Sequence, residues 1–276
     1  MPNWKLFCLI LLMGCSGLER SEREKIRRRN CVGERIYRNQ SETTEAFFAP
    51  PQQTPRETYP WEVQSALPRV TKEFFRCKGT ALNSVRMDYT DSAHPASYTD
   101  CGGSSYHGLP IIHGREGVYP VLLDILNYIQ TKTGHRVVVT CGHRCPTHNI
   151  YADPSAENRT SKHQIGAEVD FYVQGMEEKP ELVVELVRQY YRDTPSYQAG
   201  KEFVEFQRYD KADAQVATPP WMNKEIYLKI CKANEGRDGD NQHPHSYLCI
   251  QVRYDRETQQ RVFYNWGQAQ RGYPQN

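Results

Sequence analysis

Apolar residues in the second half of the chain recur with two different periods. Val118, Val121, Leu122, Ile125, Leu126 and Ile129 are spaced by threes and fours, which predicts an amphipathic helix that Gly134 ends. The segment Glu181 to Tyr191 repeats the pattern with Leu182, Val183, Leu186, Val187 and Tyr190, and predicts a second helix. Between them, Arg136-Val137-Val138-Val139-Thr140 is a β-branched run bounded by glycines, which favours a buried strand. A second short strand is expected at Ala167 to Val173. Tyr247 to Tyr254 alternates as a strand, and Arg261 to Trp266 is expected to pair with it as a hairpin across Asp255 to Gln260. Phe74 to His113, with Cys77, Gly79, Cys101, Gly102 and Gly103, reads as loops and short strands. The pattern is α+β, without an internal repeat.

The first part of the chain lacks this periodicity. From Leu18 to about Arg69 it is dense in Arg, Glu, Gln, Thr and Pro, so residues 15–70 are expected to form a solvated tether and 71–276 the folded domain. Before the tether, Lys5 precedes an apolar run from Leu6 to Met13, as in a secretory signal over residues 1–14. That run is far short of the ~20 residues a membrane-spanning helix needs. Leu12-Met13-Gly14-Cys15 resembles the bacterial lipobox, which implies export, lipidation at Cys15, and a membrane-anchored lipoprotein of the periplasm or cell envelope.

Composition narrows the function classes. With 38% apolar and 25% charged residues, the 276-residue chain can bury one sizeable core. Its net charge of +2 gives no broad basic surface, so a nucleic-acid partner is not expected. Of nine cysteines, Cys8 and Cys15 belong to the signal region. The remaining Cys31, Cys77, Cys101, Cys141, Cys145, Cys231 and Cys249 are odd in number, so at least one must stay free, bind metal or pair with another chain.

The strongest chemical signal is Ser161-Lys162-His163-Gln164-Ile165-Gly166-Ala167-Glu168-Val169-Asp170-Phe171. A glycine turn between His163 and Asp170 folds the chain back toward a strand, so imidazole and carboxylate can aim at one ion. Zinc accepts both ligand types at about 2.0–2.2 Å.

This segment resembles the S-x-H-x-x-G-x-A-x-D signature of zinc D-Ala-D-Ala peptidases, with Glu168 where a small residue is usual. Upstream, Thr133-Gly134-His135-Arg136-Val137-Val138-Val139-Thr140-Cys141-Gly142-His143-Arg144-Cys145-Pro146-Thr147-His148-Asn149 is similar to the family's T-G-x-x-V-x-V-x-S-G-Y-R-S-P-x-x-N. The resemblance covers about Tyr119 to Tyr254. It implies a central antiparallel sheet flanked by helices, the fold shared by hedgehog domains and these peptidases. It also implies His163 and Asp170 as zinc ligands and Arg144 as a clamp for a substrate carboxylate or an oxyanion. Cys141 and Cys145 replace two serines of the motif. A local disulfide or two buried thiols is the expectation there, in preference to a separate structural zinc site built with His143 and His148.

For the third ligand, Asp240-Asn241-Gln242-His243 has the family spacing of a general base and a histidine, so Asp240 is the expected base and His243 the expected ligand. His245 and Cys249 compete as ligands, Cys249 because its strand resembles one that begins with the family's ligand histidine. Asp238 and Glu235 compete as bases. His94, His107 and His113 carry no comparable pattern and are expected on the surface or in the core. The implied activity is zinc-dependent hydrolysis of peptidoglycan stem or crosslink peptides, as a carboxypeptidase or endopeptidase. The alternatives are a catalytically inactive cell-wall peptide-binding lipoprotein of the same fold, and a structural lipoprotein crosslinked by disulfides.

Overall fold

In a computed structural model, the chain is described over residues 67–88, 94–154, 160–209, 216–263 and 266–275, all within the unit Thr58–Asn276. The expected signal segment, Cys15, Cys31 and the tether up to residue 66 lie outside the described residues. Residues 68–70 already belong to the fold. Val70 is buried, its N–H donates to Asn127 Oδ1 at 2.8 Å, and Asn127 Nδ2 returns a bond to its carbonyl at 2.8 Å.

The β-branched and alternating runs form one six-stranded sheet. Its strands are β1 (Val137–Cys141), β2 (Glu168–Val173), β3 (Gln207–Arg208), β4 (Trp221–Met222), β5 (Ile226–Cys231) and β6 (Tyr247–Val252). They lie in the order β1-β2-β6-β5-β4-β3, every pair antiparallel. The three longest helices are α1 (Pro120–Thr133), α2 (Pro146–Ala152) and α3 (Pro180–Asp193), each with proline in its first turn, where a missing N–H costs nothing. Gly134 closes α1 at φ +67°, as expected of a left-handed cap. The molecule is an α+β fold.

Alternation along the strands divides the sheet into two faces. Val169, Phe171 and Val173 of β2, Leu248, Ile250 and Val252 of β6, and Ile226, Leu228 and Ile230 of β5 join α1 and α3 in one core. Each fully buried aliphatic side chain there contributes about 1.5–3 kcal/mol relative to exposure. The opposite parity is polar: Glu168, Asp170 and Tyr172 on β2, Cys249 and Gln251 on β6, Tyr227 and Lys229 on β5. Glu168, Asp170 and Cys249 are nevertheless buried, which is costly for charged groups unless they are paired or ligate an ion.

Three details differ from the sequence pattern. Leu182 is exposed, and α3 buries Val183, Val184, Val187, Tyr190 and Tyr191 instead. The expected long hairpin shrinks to a two-residue ladder, Tyr254–Asp255 with Gln260–Arg261, because the backbone N–H groups of Arg253 and Tyr254 turn away to the Glu225 carbonyl. Trp266 then opens a short helix, Trp266–Arg271, in place of a strand.

Gly166 sits at φ +68° after the turn that carries His163, and a Cβ there would lie 3.2 Å from both the Gly117 carbonyl and Ile112 Cδ1. Gly166→Ala is therefore expected to destabilise the fold by about 1–2 kcal/mol. A lower denaturation midpoint at unchanged slope is the measurement that checks it.

Candidate metal centre

His163 is positioned by its own sequence. Ser161 caps the 3-10 turn Lys162–Ile165, its hydroxyl accepting from His163 N–H at 3.2 Å, while Gln164 Oε1 accepts from Ser161 N–H at 2.8 Å. The ring Nδ1 lies 2.7 Å from the Gly142 carbonyl. A carbonyl can only accept, so Nδ1 carries a proton and Nε2 is the nitrogen whose lone pair is left for a metal.

That lone pair faces two acids. Asp170 Oδ2 is 3.5 Å and Glu168 Oε2 3.8 Å from His163 Nε2. Both separations exceed a good N–H···O hydrogen bond. They match the edge of a tetrahedron: two donors each about 2.1 Å from one zinc stand roughly 3.4 Å apart. All three are buried; His163 with Asp170 offers the nitrogen and oxygen donors that zinc accepts, while Glu168 groups with Asp170 and Cys249 rather than with His163.

Asp170 is the hub. Its ligand atoms group within 4.8 Å with those of Cys141 and His163 on one side and of Glu168 and Cys249 on the other. A bulge between Val139 and Cys141 sets Cys141 opposite Asp170 from β1, and Cys249 stands directly opposite from β6. Cys141 Sγ lies 3.4 Å from the protonated Nδ1 of His163, the side of the ring away from its lone pair. Asn241 Nδ2 donates to Asp170 Oδ2 at 2.9 Å. Without a cation Nε2 also takes a proton: burial disfavours it, but the charges of Glu168 and Asp170 raise the imidazole, and its charge with that of Arg144 outweighs burial and holds the Asp170 carboxyl below the usual carboxylate range.

Glu168 Oε1 accepts from the Cys249 thiol at 2.9 Å and from Gln251 Nε2 at 2.7 Å. Burial, and next the charges of Glu168 and Asp170, push the Cys249 thiol up, so without a cation it keeps its proton. Lys229 stands across the strand pair from Cys249 and brings a positive charge to the same face.

The other expected site residues gather in a neighbouring network. Arg144 is buried, its Nε donating to Asp240 Oδ2 at 2.7 Å and its Nη2 to Asp238 Oδ2. Asp240 Oδ1 is 2.9 Å from His148 Nε2, and His148 Nδ1 is 2.7 Å from Asp100 Oδ1. Burial would raise Asp240, yet the His148 hydrogen bond and the Arg144 charge drive it far below the ordinary range. The structure thus engages Arg144 and Asp240 with each other rather than with His163.

His243 stacks on His245 at 4.1 Å, and both rings contact Tyr172, the residue after Asp170 on the same strand face. His243 and His245 share no metal-like cluster with His163 among the described residues. A cleft of about 450 Å³ opens beside them, lined in part by Lys78, His148, Tyr151, Tyr172, Asp240 and His243.

Cys141 and Cys145 are both buried free thiols and join different clusters, so no local disulfide links them. His107, expected to be ordinary, lies among Cys77, Cys101 and Cys145. Sequence reasoning treated Glu168 only as a departure from a motif, and passed over Asn241, Lys229 and the Gly142 carbonyl. The one usable signal was parity: Glu168 and Asp170 are two apart on a strand and must share a face.

No helix among the described residues is long and apolar enough to cross a membrane. Compared with family models, with curated proteins and with solved structures, the chain finds no match in any of the three.

Proposed function

We propose that the chain is a zinc-dependent peptidase of the hedgehog and D-Ala-D-Ala peptidase fold, acting on peptidoglycan stem or crosslink peptides from a lipid anchor at Cys15. The observation that carries this reading is His163 Nε2 facing Asp170 and Glu168 at 3.5 and 3.8 Å, with Nδ1 fixed by a carbonyl. Asp170 and His163 would hold the ion, with Cys249, which shares a ligand cluster with Asp170 but not with His163, as third ligand. Zinc there would supply Lewis acidity, lowering the pKa of water and polarising a carbonyl.

The protein's own groups supply the rest. Glu168, freed of the thiol proton once Cys249 ligates, is the carboxylate placed to accept a proton from water and pass it to the leaving amine. Asn241 fixes the Asp170 carboxylate. Lys229 offers the positive charge for a substrate carboxylate. Asp240 lines the adjoining cleft and is held by Arg144.

The test is release of D-alanine from a peptide ending in D-Ala-D-Ala by the zinc-loaded chain, followed by mass spectrometry. Chelation is expected to abolish release and added zinc to restore it, while Cys249→Ser weakens zinc binding at this site. A zinc-loaded chain that leaves stem peptides and crosslinked dimers intact rejects the enzyme.

One observation favours a second reading, a peptide-binding lipoprotein without catalysis. The carboxylate at the family's base spacing, Asp240, is held as the partner of Arg144 and His148. Tight binding of a stem peptide with no turnover would select it.

A further inference from the structure

The segment between Phe75 and Leu109 folds with almost no core of its own. Among its described residues the only regular elements are the ladder Arg86–Asp88 with Ala96–Tyr98 and one 3-10 turn, and Leu82, Val85, Met87 and Tyr106 are exposed. Such a stretch needs a staple to hold one conformation.

At its base four ligand groups converge from distant points in the sequence. One ligand atom each from Cys77, Cys101, His107 and Cys145 lies within 4.8 Å of the others. Cys77, His107 and Cys145 are buried and Cys101 is half-buried. Cys77 Sγ and Cys101 Sγ stand 3.6 Å apart. Two sulfurs each about 2.3 Å from a tetrahedral zinc would be separated by roughly 3.8 Å, whereas a disulfide requires about 2.05 Å.

Two further observations point to a ligand. His107 Nδ1 lies 3.3 Å from the Gly108 carbonyl, and its buried Nε2 has no hydrogen-bond partner among the described residues. An imidazole fixed at one nitrogen and unsatisfied at the other is the usual form of a metal-binding histidine. Backbone N–H groups also aim at the sulfurs: Gly103 N–H donates to Cys101 Sγ and His148 N–H to Cys145 Sγ, each at 3.3 Å. Such bonds stabilise thiolates over thiols. Glycine permits the close approach, since a Cβ on Gly79 would collide with Cys101 Sγ.

We propose that Cys77, Cys101, His107 and Cys145 form a structural zinc site, separate from the His163–Asp170 centre. On binding, three thiols lose their protons to solvent and the ion takes three sulfurs and one nitrogen, a closed set with no position left for water. The site joins segment 77–107 to Cys145, at the start of α2. Cys145 lies in the loop whose Gly142 carbonyl fixes His163 and whose Arg144 pairs with Asp240. The staple therefore also holds the frame of the candidate centre, although its existence does not depend on that centre being catalytic.

The full chain, reduced and loaded with cobalt(II), tests this directly. Wild type is expected to show an intense sulfur-to-cobalt charge-transfer band from three thiolates, and His163→Ala to keep it. Cys101→Ser and Cys145→Ser are expected to weaken metal binding at this site by about 100-fold or more and to lose most of the band. Should those variants fail to fold, alkylation of wild type with iodoacetamide answers the question. Zinc should protect Cys77, Cys101 and Cys145 as a set, and chelation should expose them together. Equal alkylation of the three with and without zinc, or recovery of a Cys77–Cys101 disulfide from protein purified without reductant, overturns the proposal. Failure of the peptidase reading would instead appear as metal held by this site with no peptide cleaved.

Discussion

Replacing His163 with alanine is expected to remove one zinc ion per chain and to lower peptide hydrolysis by about 10³-fold or more, equivalent to roughly 4 kcal/mol of barrier. His163 is the only imidazole in reach of both Asp170 and Glu168 among the described residues, so its loss leaves Asp170 and Cys249 as an incomplete ligand set that holds zinc weakly. Glu168→Gln separates ligand from base. Glutamine keeps the shape and can still accept from Gln251 Nε2, so zinc content should stay at the wild-type value while kcat falls by about 10²–10⁴-fold. If Glu168→Gln loses the zinc and Cys249→Ser keeps it, the two residues exchange roles. If neither His163→Ala nor Asp170→Asn alters zinc content or hydrolysis, the centre is not here.

The parts of this arrangement that were legible in the sequence are those encoded locally. Period and the Gly134 stop identify α1, α3, β1, β2 and β6 because each depends on neighbours within a few residues. The spacing of His163 and Asp170 is local as well, spanning one turn and part of one strand. The four groups of the proposed structural site are separated by long, irregular loops, and no common spacing links Cys77, Cys101, His107 and Cys145. Strand β5 was not expected, although Ile226, Leu228 and Ile230 alternate with Tyr227 and Lys229. The cost of burying Lys229 is offset by acids that only the folded sheet brings near it. Asp240 illustrates the reverse case, a partner that local spacing does not show. Its spacing to His243 suggested a base, but Arg144, distant in sequence, had a stronger claim on its charge.

Arg144→Ala is expected to destabilise the chain by about 3–5 kcal/mol, more than any surface ion pair would. The side chain is only 5% exposed and donates to both Asp238 and Asp240, so alanine strands two carboxylates that solvent reaches poorly. Arg144→Lys should recover part of the loss, because an ammonium restores the charge but cannot fork between two acids. The pH dependence distinguishes a charge effect from a packing effect. In the wild type, Asp240 has its pKa depressed by folding, so its contribution is complete above pH ~4 and is lost as pH falls through the lower, folded value. Without Arg144 that depression shrinks, so the variant has less of this contribution to lose as pH falls below ~4. Denaturation midpoints measured from pH 2 to pH 7 read this as a gap between the two proteins that is constant above pH ~4 and narrows below it. A constant gap over that range would assign the loss to the cavity left by the side chain and leave the buried ion pairs without a stabilising role.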